Sequence, residues 1–181
     1  DTLTVDLSGL AAARLATWSD VAGTAERHHW NIEEPADLLA SLLALARTGG
    51  WFRYLDFTYN GEMTSAWSRA AHTCRQSLAL HALGLPCKVR TGPSDYHSTE
   101  QSETDGPFEL VSIRAVALSH EPVAIGQYSD RFLLAQARGT WQAMVDAGRW
   151  VVLVAVPDAS DDSAAAVERL LKRTAALLGG R

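Results

Sequence analysis

The stretch "YNGEMTSAWSRAAHTC", residues 59–74, holds the densest run of side chains with chemistry to offer. A short apolar run ends at Asn60-Gly61, and a helical pattern begins with Thr64 or Ser65 as its N-cap. The N–H groups at a helix start are ready-made anion donors. Arg69 and His72 fall on polar positions of that helix and would add positive charge. Arg69 would reach back toward the N-terminus, as long helical side chains tend to do. Glu62 would accept hydrogen bonds from sugar or ribose hydroxyls. Asn60, Gly61, Glu62, Thr64, Arg69 and His72 therefore make a candidate ligand-binding set for a small, hydroxylated, anionic molecule, sugar-like or nucleotide-like. The plainer alternative is a tight strand-to-helix connection through an Asn-Gly turn. Neither a G-x-G-x-x-G nor a Walker A loop is present to cradle phosphates.

Cys74 invites a second chemistry. "HTCRQSLALHALGLPCKVRTG" has the outline of papain- and transglutaminase-like enzymes, a cysteine near a helix start with a strand after it. Such a nucleophile needs a histidine base with a carboxylate or amide behind it. His97 and His120, with Asp130 beyond, are the candidates. Against this, Cys74 lies about two turns into its helix on the apolar stripe, where free cysteine is inert packing. A Cys74-dependent hydrolase or transferase stays open as the alternative.

Six histidines and two cysteines raise a metal reading. His72 and Cys74 are two apart on a helix and diverge by about 200°. His28 and His29 are adjacent and diverge too. There is no HExxH and no paired-cysteine spacing. No metal and no cofactor are expected, and His81 reads as a core-edge histidine. Asp158 closes an apolar run, while Asp161 and Asp162 suit the start of the last helix.

Several elements must position these groups. "TLTVDL", 2–7, alternates as a short edge strand would. A helix over 33–50 has Pro35 in its first turn, Arg47 near its end and Gly49-Gly50 to stop it. "WFRYLDFTY", 51–59, reads as a strand. The helix over 65–83 carries the stripe Trp67, Ala70, Ala71, Cys74, Leu78 and Ala82. "PCKVRTG", "FELVSIRAVALS" and "PVAIGQY" are β-rich. "WVVLVAVP", 150–157, is continuously apolar, as a strand buried on both faces is. Helices over 131–147 and 163–178 flank it. Residues 94–106 are polar and acidic and read as an exposed loop. Trp18, Trp67 and Trp141 are expected in packing. Trp30, Trp51 and Trp150 are expected at element borders, partly exposed, where they would suit a partner surface.

This order argues for a single α/β domain over 1–181: three layers, a mainly parallel sheet and helices on both faces, Rossmann-like. The expected core includes Leu55, Phe57, Trp67, Leu78, Val89, Val111, Ile125, Val152, Val154 and Leu171. The 181 residues, 47% hydrophobic and 20% charged, are enough for such a core. The net charge of −5 argues against a nucleic-acid footprint. Asp95, Glu100, Glu103 and Asp105 concentrate acid in the one polar loop. No run reaches the roughly 18 apolar residues of a membrane span. No basic n-region precedes an apolar stretch, and two cysteines are few for a secreted framework, so a reduced cytoplasmic setting is expected.

Residues 53–92 resemble the first strand-helix-strand of two-domain GT-B glycosyltransferases. In that family a strand ends in a short Gly-containing loop that helps bind the acceptor. The resemblance implies that role for Asn60, Gly61 and Glu62. The family's nucleotide-sugar is held mainly by a second domain, outside this match, so the implied enzyme is a reduced glycosyltransferase-like protein. Residues 117–157 resemble bacterial sensory domains of the DICT type through "ALSH", "RF" and a downstream tryptophan. Without a complete catalytic constellation, the favoured function is a non-catalytic regulatory or accessory domain. It would bind a small hydroxylated or anionic ligand, or a protein partner, including a second copy of itself.

Overall fold

Four β-rich segments form the parallel part of a five-stranded sheet. The computed structural model describes residues 3–9, 16–50, 52–92, 108–119 and 129–179. The strands are β1 (Thr4–Asp6), β2 (Tyr54–Asn60), β3 (Cys87–Gly92), β4 (Leu110–Ser119) and β5 (Trp150–Asp158). They lie in the order β1-β5-β4-β2-β3. β2 pairs in parallel with β3 and β4, and β4 with β5. β1 closes one edge antiparallel to β5. The mainly parallel α/β sheet and the edge position of β1 are as the sequence leads one to expect.

The helices that frame the sheet are α1 (Trp18–His28), α2 (Pro35–Thr48), α3 (Ser65–Thr73), α4 (Asp130–Asp146) and α5 (Asp161–Gly179). Their starts follow local chemistry. Thr17 and Asp20 exchange hydrogen bonds as a capping box on α1, at 3.2 and 2.8 Å. Pro35 opens α2 at the one place where a missing N–H costs nothing. Ser129 caps α4 by accepting the Phe132 N–H at 3.2 Å.

In paired strands, side chains at one level share a face. Leu55, Phe57 and Tyr59 of β2 join Val111, Ile113, Val152 and Val154 in the main apolar cluster, packed by α2, α3 and α5. The alternate residues of β4 and β5, among them Leu110, Val116, Val151 and Ala155, pack with Ala137, Met144 and Val145 of α4. The chain leaves β2 toward β3 and leaves β4 toward β5, in opposite directions. The switch of direction therefore falls between β2 and β4.

Leu55, Phe57, Trp67, Leu78, Val111, Val152, Val154 and Leu171 are fully buried, as expected. Val89 is not: at 37% exposure it sits on edge strand β3, with no strand paired beyond it among the described residues. Ile125, Trp51, the β-rich run 122–128 and the loop 94–106 lie outside the described residues. Trp18 is 57% exposed because it is the first residue of α1, outside the packed face. Trp150 is buried, because it pairs with Val111 of β4 and its ring joins the main apolar cluster.

The stripe of the long helix also departs from expectation. After Thr73 the helix continues over Cys74–Leu83 with the wider turns of a π-helix, and ends at Gly84 with φ 71°. Buried residues there are Cys74, Leu78, Ala79 and Leu83. An α-helical period of about 3.6 selects Ala82 instead. Ala82 is half-buried, and His81 is exposed rather than at the core edge.

Val152 pairs with Ile113 inside the sheet and is fully buried. Val152→Asp would bury an unpaired carboxylate, a change of the class that costs several kcal/mol. That is on the order of a small domain's whole stability of about 5–15 kcal/mol. Thermal denaturation of the variant should show no cooperative transition. An unchanged melting curve would remove β5 from the core.

Candidate functional site

The residues of the 60–64 junction are split between the two faces of the sheet. Asn60 ends β2 and is buried, with its side chain on the face of Asp56 and Thr58, opposite to α3. Gly61 follows, its N–H donating to the Gly92 carbonyl at 3.1 Å. A Cβ at Gly61 would stand 2.7 Å from the Tyr59 ring, so glycine is required by close approach. Tyr59 stacks on Trp67 with ring centroids 3.6 Å apart at 11°. The Trp67 indole N–H donates to the Ala159 carbonyl at 3.3 Å. These two rings fill the space beside the start of α3.

Thr64 caps α3 by accepting the Trp67 N–H at 3.4 Å, and its hydroxyl donates to Asp161 at 3.4 Å. Glu62 and His72 are exposed. Arg69 is exposed and turned sideways to α5, its Nε 4.0 Å from Glu168. It does not reach back to the helix start, because the α5 carboxylate is the nearer partner. Glu168 is itself held below the ordinary glutamate range, chiefly by Lys172 at 2.6 Å. The surrounding groups are acidic. Asp158 accepts from the Ser160 N–H at 3.0 Å and the Ser163 hydroxyl at 2.7 Å. Hydrogen bonds from Ser160 first and then Ser163 hold its pKa below the usual range. Burial, then Asp158, then Glu62 push Tyr59 well above the ordinary phenol value. The junction is thus occupied by stacked rings and ringed by carboxylates.

The other face of β2 carries the densest buried polar chemistry among the described residues. Asp56, Thr58, Asn60, Arg90, Ser112 and Arg114 are all buried, none more than 4% exposed. Arg90, Thr58 and Arg114 stand in one row across β3, β2 and β4. Lys88, Asp56 and Ser112 form the row toward the amino ends, and Gly92, Asn60 and Val116 the row toward the carboxyl ends. Arg90 grips Asp56 with both arms of its fork, Nε to Oδ1 at 3.0 Å and Nη2 to Oδ2 at 2.8 Å. Ser112 and Thr58 hydroxyls donate to the same Oδ2 at 2.9 and 3.0 Å. Arg114 donates to Thr140 Oγ1 at 2.9 Å and to Met144 Sδ at 3.3 Å, both on α4. The cluster lies on the strands flanking the switch point, where open parallel sheets place their ligands. Of the sequence-derived set it includes Asn60 alone. Polar residues at every second position in 56–60, 88–90 and 112–114 are the signal that locates it.

The thiol of Cys74 is fully buried, and its hydrogen bond with Cys87, with burial second, raises its pKa well above the free value. This is the inert environment expected of it. His97, His120 and the side chain of Asp130 lie outside the described residues. Among the described residues no three metal-ligating side chains cluster. A cavity of about 400 Å³ between β1 and α1 is lined by Val5, Leu7, Trp18, Val21 and Leu38. Of its polar groups, Asp6 accepts the Ser8 N–H and Thr17 is held in its capping box. No described helix is long and apolar enough to cross a membrane.

No protein-family model matches the chain. No curated protein matches it. Among solved structures it is similar to a hypothetical protein, TT0462, from Thermus thermophilus. The TM-score is 0.67 at 22% identity, over 96% of this chain and 45% of that one. That likeness shows the fold alone, and this chain spans less than half of that neighbour's length.

Two outcomes follow from this geometry. Asp56→Asn keeps the shape but takes the counter-charge away from the buried Arg90 fork, and should cost about 3–5 kcal/mol in urea denaturation. The double variant Asp56→Leu with Arg90→Met should recover much of that loss. A cost below about 1 kcal/mol for Asp56→Asn would mean the pair is hydrated. Tyr59 gives a pH signature. Its folded pKa is raised, so its contribution is fully present below the unfolded value of about 10 and is lost as pH rises beyond it. Stability should therefore fall in alkali from about pH 10, and Tyr59→Phe should flatten that fall. An identical alkaline profile in the two proteins would place the Tyr59 hydroxyl in water.

Proposed function

We propose that this chain is a non-catalytic binding domain with a three-layered, Rossmann-like build. Its ligand is a small hydroxylated anion, taken at the polar half-face of β2, β3 and β4. One observation carries the reading. A parallel sheet normally buries apolar side chains on both faces, yet here two arginines, a threonine, a serine, an asparagine and an aspartate occupy contiguous buried positions. Burying polar groups costs stability unless each finds partners, and such clusters concentrate at functional sites. The Arg90 fork holds Asp56, and the charge of Arg114 on the same face suits an anion, while Asn60 and Thr58 suit hydroxyls. Both cysteines are free thiols, which suits a reduced, cytoplasmic setting.

A protein partner is the second reading. Leu118 at 48% and Phe132 at 45% exposure end β4 and begin α4 at the same carboxyl edge. Exposed apolar groups beside a polar site suit a partner that covers both.

Titration calorimetry with phosphate, a sugar phosphate and a sugar acid at millimolar concentration separates the cases. At least one should bind. Asn60→Ala should weaken it about tenfold, the worth of one well-made hydrogen bond. Arg69→Ala should leave the affinity unchanged, because Arg69 faces α5. If no member of the panel binds, the polar half-face is a structural network. If Arg69→Ala weakens binding and Asn60→Ala does not, the site is the helix start instead.

A further inference from the structure

We propose that the cavity where α2, α5 and the π-helical stretch end is a binding site for a small organic oxyanion. Its ligand is a carboxylate or phosphate ester with a short apolar body. The cavity measures about 430 Å³ and is lined by Arg47 and Thr48 of α2, His81 and Ala82 of the π-helical stretch and Leu178 of α5, among others. That volume is in the range of small-molecule sites, about 300–1,000 Å³. Arg47 is a cation and His81 can become one, while none of the described lining residues is acidic. This stands out in a chain of net charge −5. Arg69, Arg90, Lys172 and Arg173 each face a carboxylate within 4.0 Å. Arg47 and His81 face none among the described residues. Arg47 Nη1 donates to the Ala82 carbonyl at 3.4 Å, which ties α2 to the π-helical stretch and leaves the Nε and Nη2 side of the fork open.

Helix ends attract cations through their last carbonyls, but several of those carbonyls already have donors here. The Leu45 and Arg47 carbonyls accept the Gly49 and Gly50 N–H groups, each at 3.0 Å. The Leu80 and Ala79 carbonyls accept the Gly84 and Leu85 N–H groups at 3.1 and 2.9 Å. The two side chains therefore keep donors for a ligand. The wider turns of the π-helical stretch set His81 in place. They bury Leu83 where an α-helical stripe would bury Ala82, and they leave His81 exposed beside Ala82. Such turns are rare and recur at functional sites. The open side of the Arg47 fork fits two oxygens of one carboxylate or phosphate, and an imidazole N–H supplies a further donor. The Thr48 hydroxyl is spent on the Ala44 carbonyl at 2.9 Å. Ala44, Ala82 and Leu178 give the ligand's body an apolar floor. The site lies among the helices on the Phe57 side of the sheet, opposite to the polar half-face. It is therefore independent of the ligand proposed above, and failure of one leaves the other standing.

The test is titration calorimetry of the intact chain with benzoate, phenyl phosphate and benzamidine, the last a cation of benzoate's shape. At least one of the two anions should bind at millimolar concentration, and benzamidine should not. Arg47→Met and His81→Leu change exposed side chains and should leave the melting temperature unchanged. Each should weaken the anion about tenfold or more, as loss of a charge-assisted hydrogen bond does. Asn60→Ala should leave this affinity unchanged. In proton NMR the bound anion should shift the His81 ring resonances, identified by their absence from His81→Leu. If Arg47→Met fails to fold, His81→Leu and the ring shift decide the matter. Failure of both anions to bind would overturn the proposal and leave Arg47 and His81 as cations of helix ends. So would benzamidine binding as well as benzoate, or an anion affinity that survives Arg47→Met and falls with Asn60→Ala.

Discussion

The carboxylate of Asp56 is the constraint around which the sheet is organised. It sits at the middle of β2 with no exposure to water, where an ion has lost several kcal/mol of hydration. It survives there because donors converge on it from three strands: the Arg90 fork from β3, the Ser112 hydroxyl from β4 and the Thr58 hydroxyl from β2 itself. Main-chain hydrogen bonds alone specify register weakly, since a shifted ladder makes nearly as many. The carboxylate specifies it strongly. A one-residue slip of β2 would turn Asp56 into the apolar cluster of Phe57 and Ile113 and pull it out of the Arg90 fork.

That arrangement gives β2 two unlike faces, which explains why its end behaves differently on each. On the α3 side the Tyr59 ring lies flat on Trp67, and Gly61 makes room for it. Little space remains at the helix start, and the acids nearby oppose an anion. On the other side Asn60 and Gly92 continue the polar surface laid down by Asp56, Thr58 and Arg90. The strand-to-helix turn is thus a filled connection on one face and the rim of a polar surface on the other. Asn60 belongs with the strand interior rather than with Glu62 and Thr64, which follow it in the chain.

Much of the fold is legible in the sequence because it depends on short-range signals. Continuous apolar residues mark β5, Pro35 and Gly49 bracket α2, and Thr64 marks the start of α3. The polar half-face is less so, although its signal is local. Polar residues recur at every second position in 56–60, 88–90 and 112–114, but each run alone reads as an ordinary half-exposed strand. Only the pairing order, which depends on contacts far apart in sequence, makes them one buried group. The stripe of the long helix departs from its pattern for another reason. A period of about 3.6 holds for α-helical turns, and the turns after Thr73 are wider. The buried positions there are therefore Ala79 and Leu83, in place of Ala82.

The wider turns also bear on how the chain returns to the sheet edge. Cys74 is shared between the α-helical and π-helical parts: it is the last residue that an α-helical stripe through Trp67 and Ala70 can bury, and the first of the wider series. Leu78, Ala79 and Leu83 then follow the sheet edge to Gly84, whose left-handed backbone at φ 71° turns the chain into Leu85, Pro86 and β3. The return is short, so Cys87 arrives opposite Leu55, beneath the helix that carries Cys74. A tight helix-to-strand connection on an edge strand leaves one thiol covered and its neighbour half-open. The same edge places Val89 partly in water two residues later, while Arg90, turned to the opposite face, is buried against Asp56. Access along β3 therefore alternates with the strand's own period. Cys87 and the buried ion pair therefore lie on opposite faces of one strand.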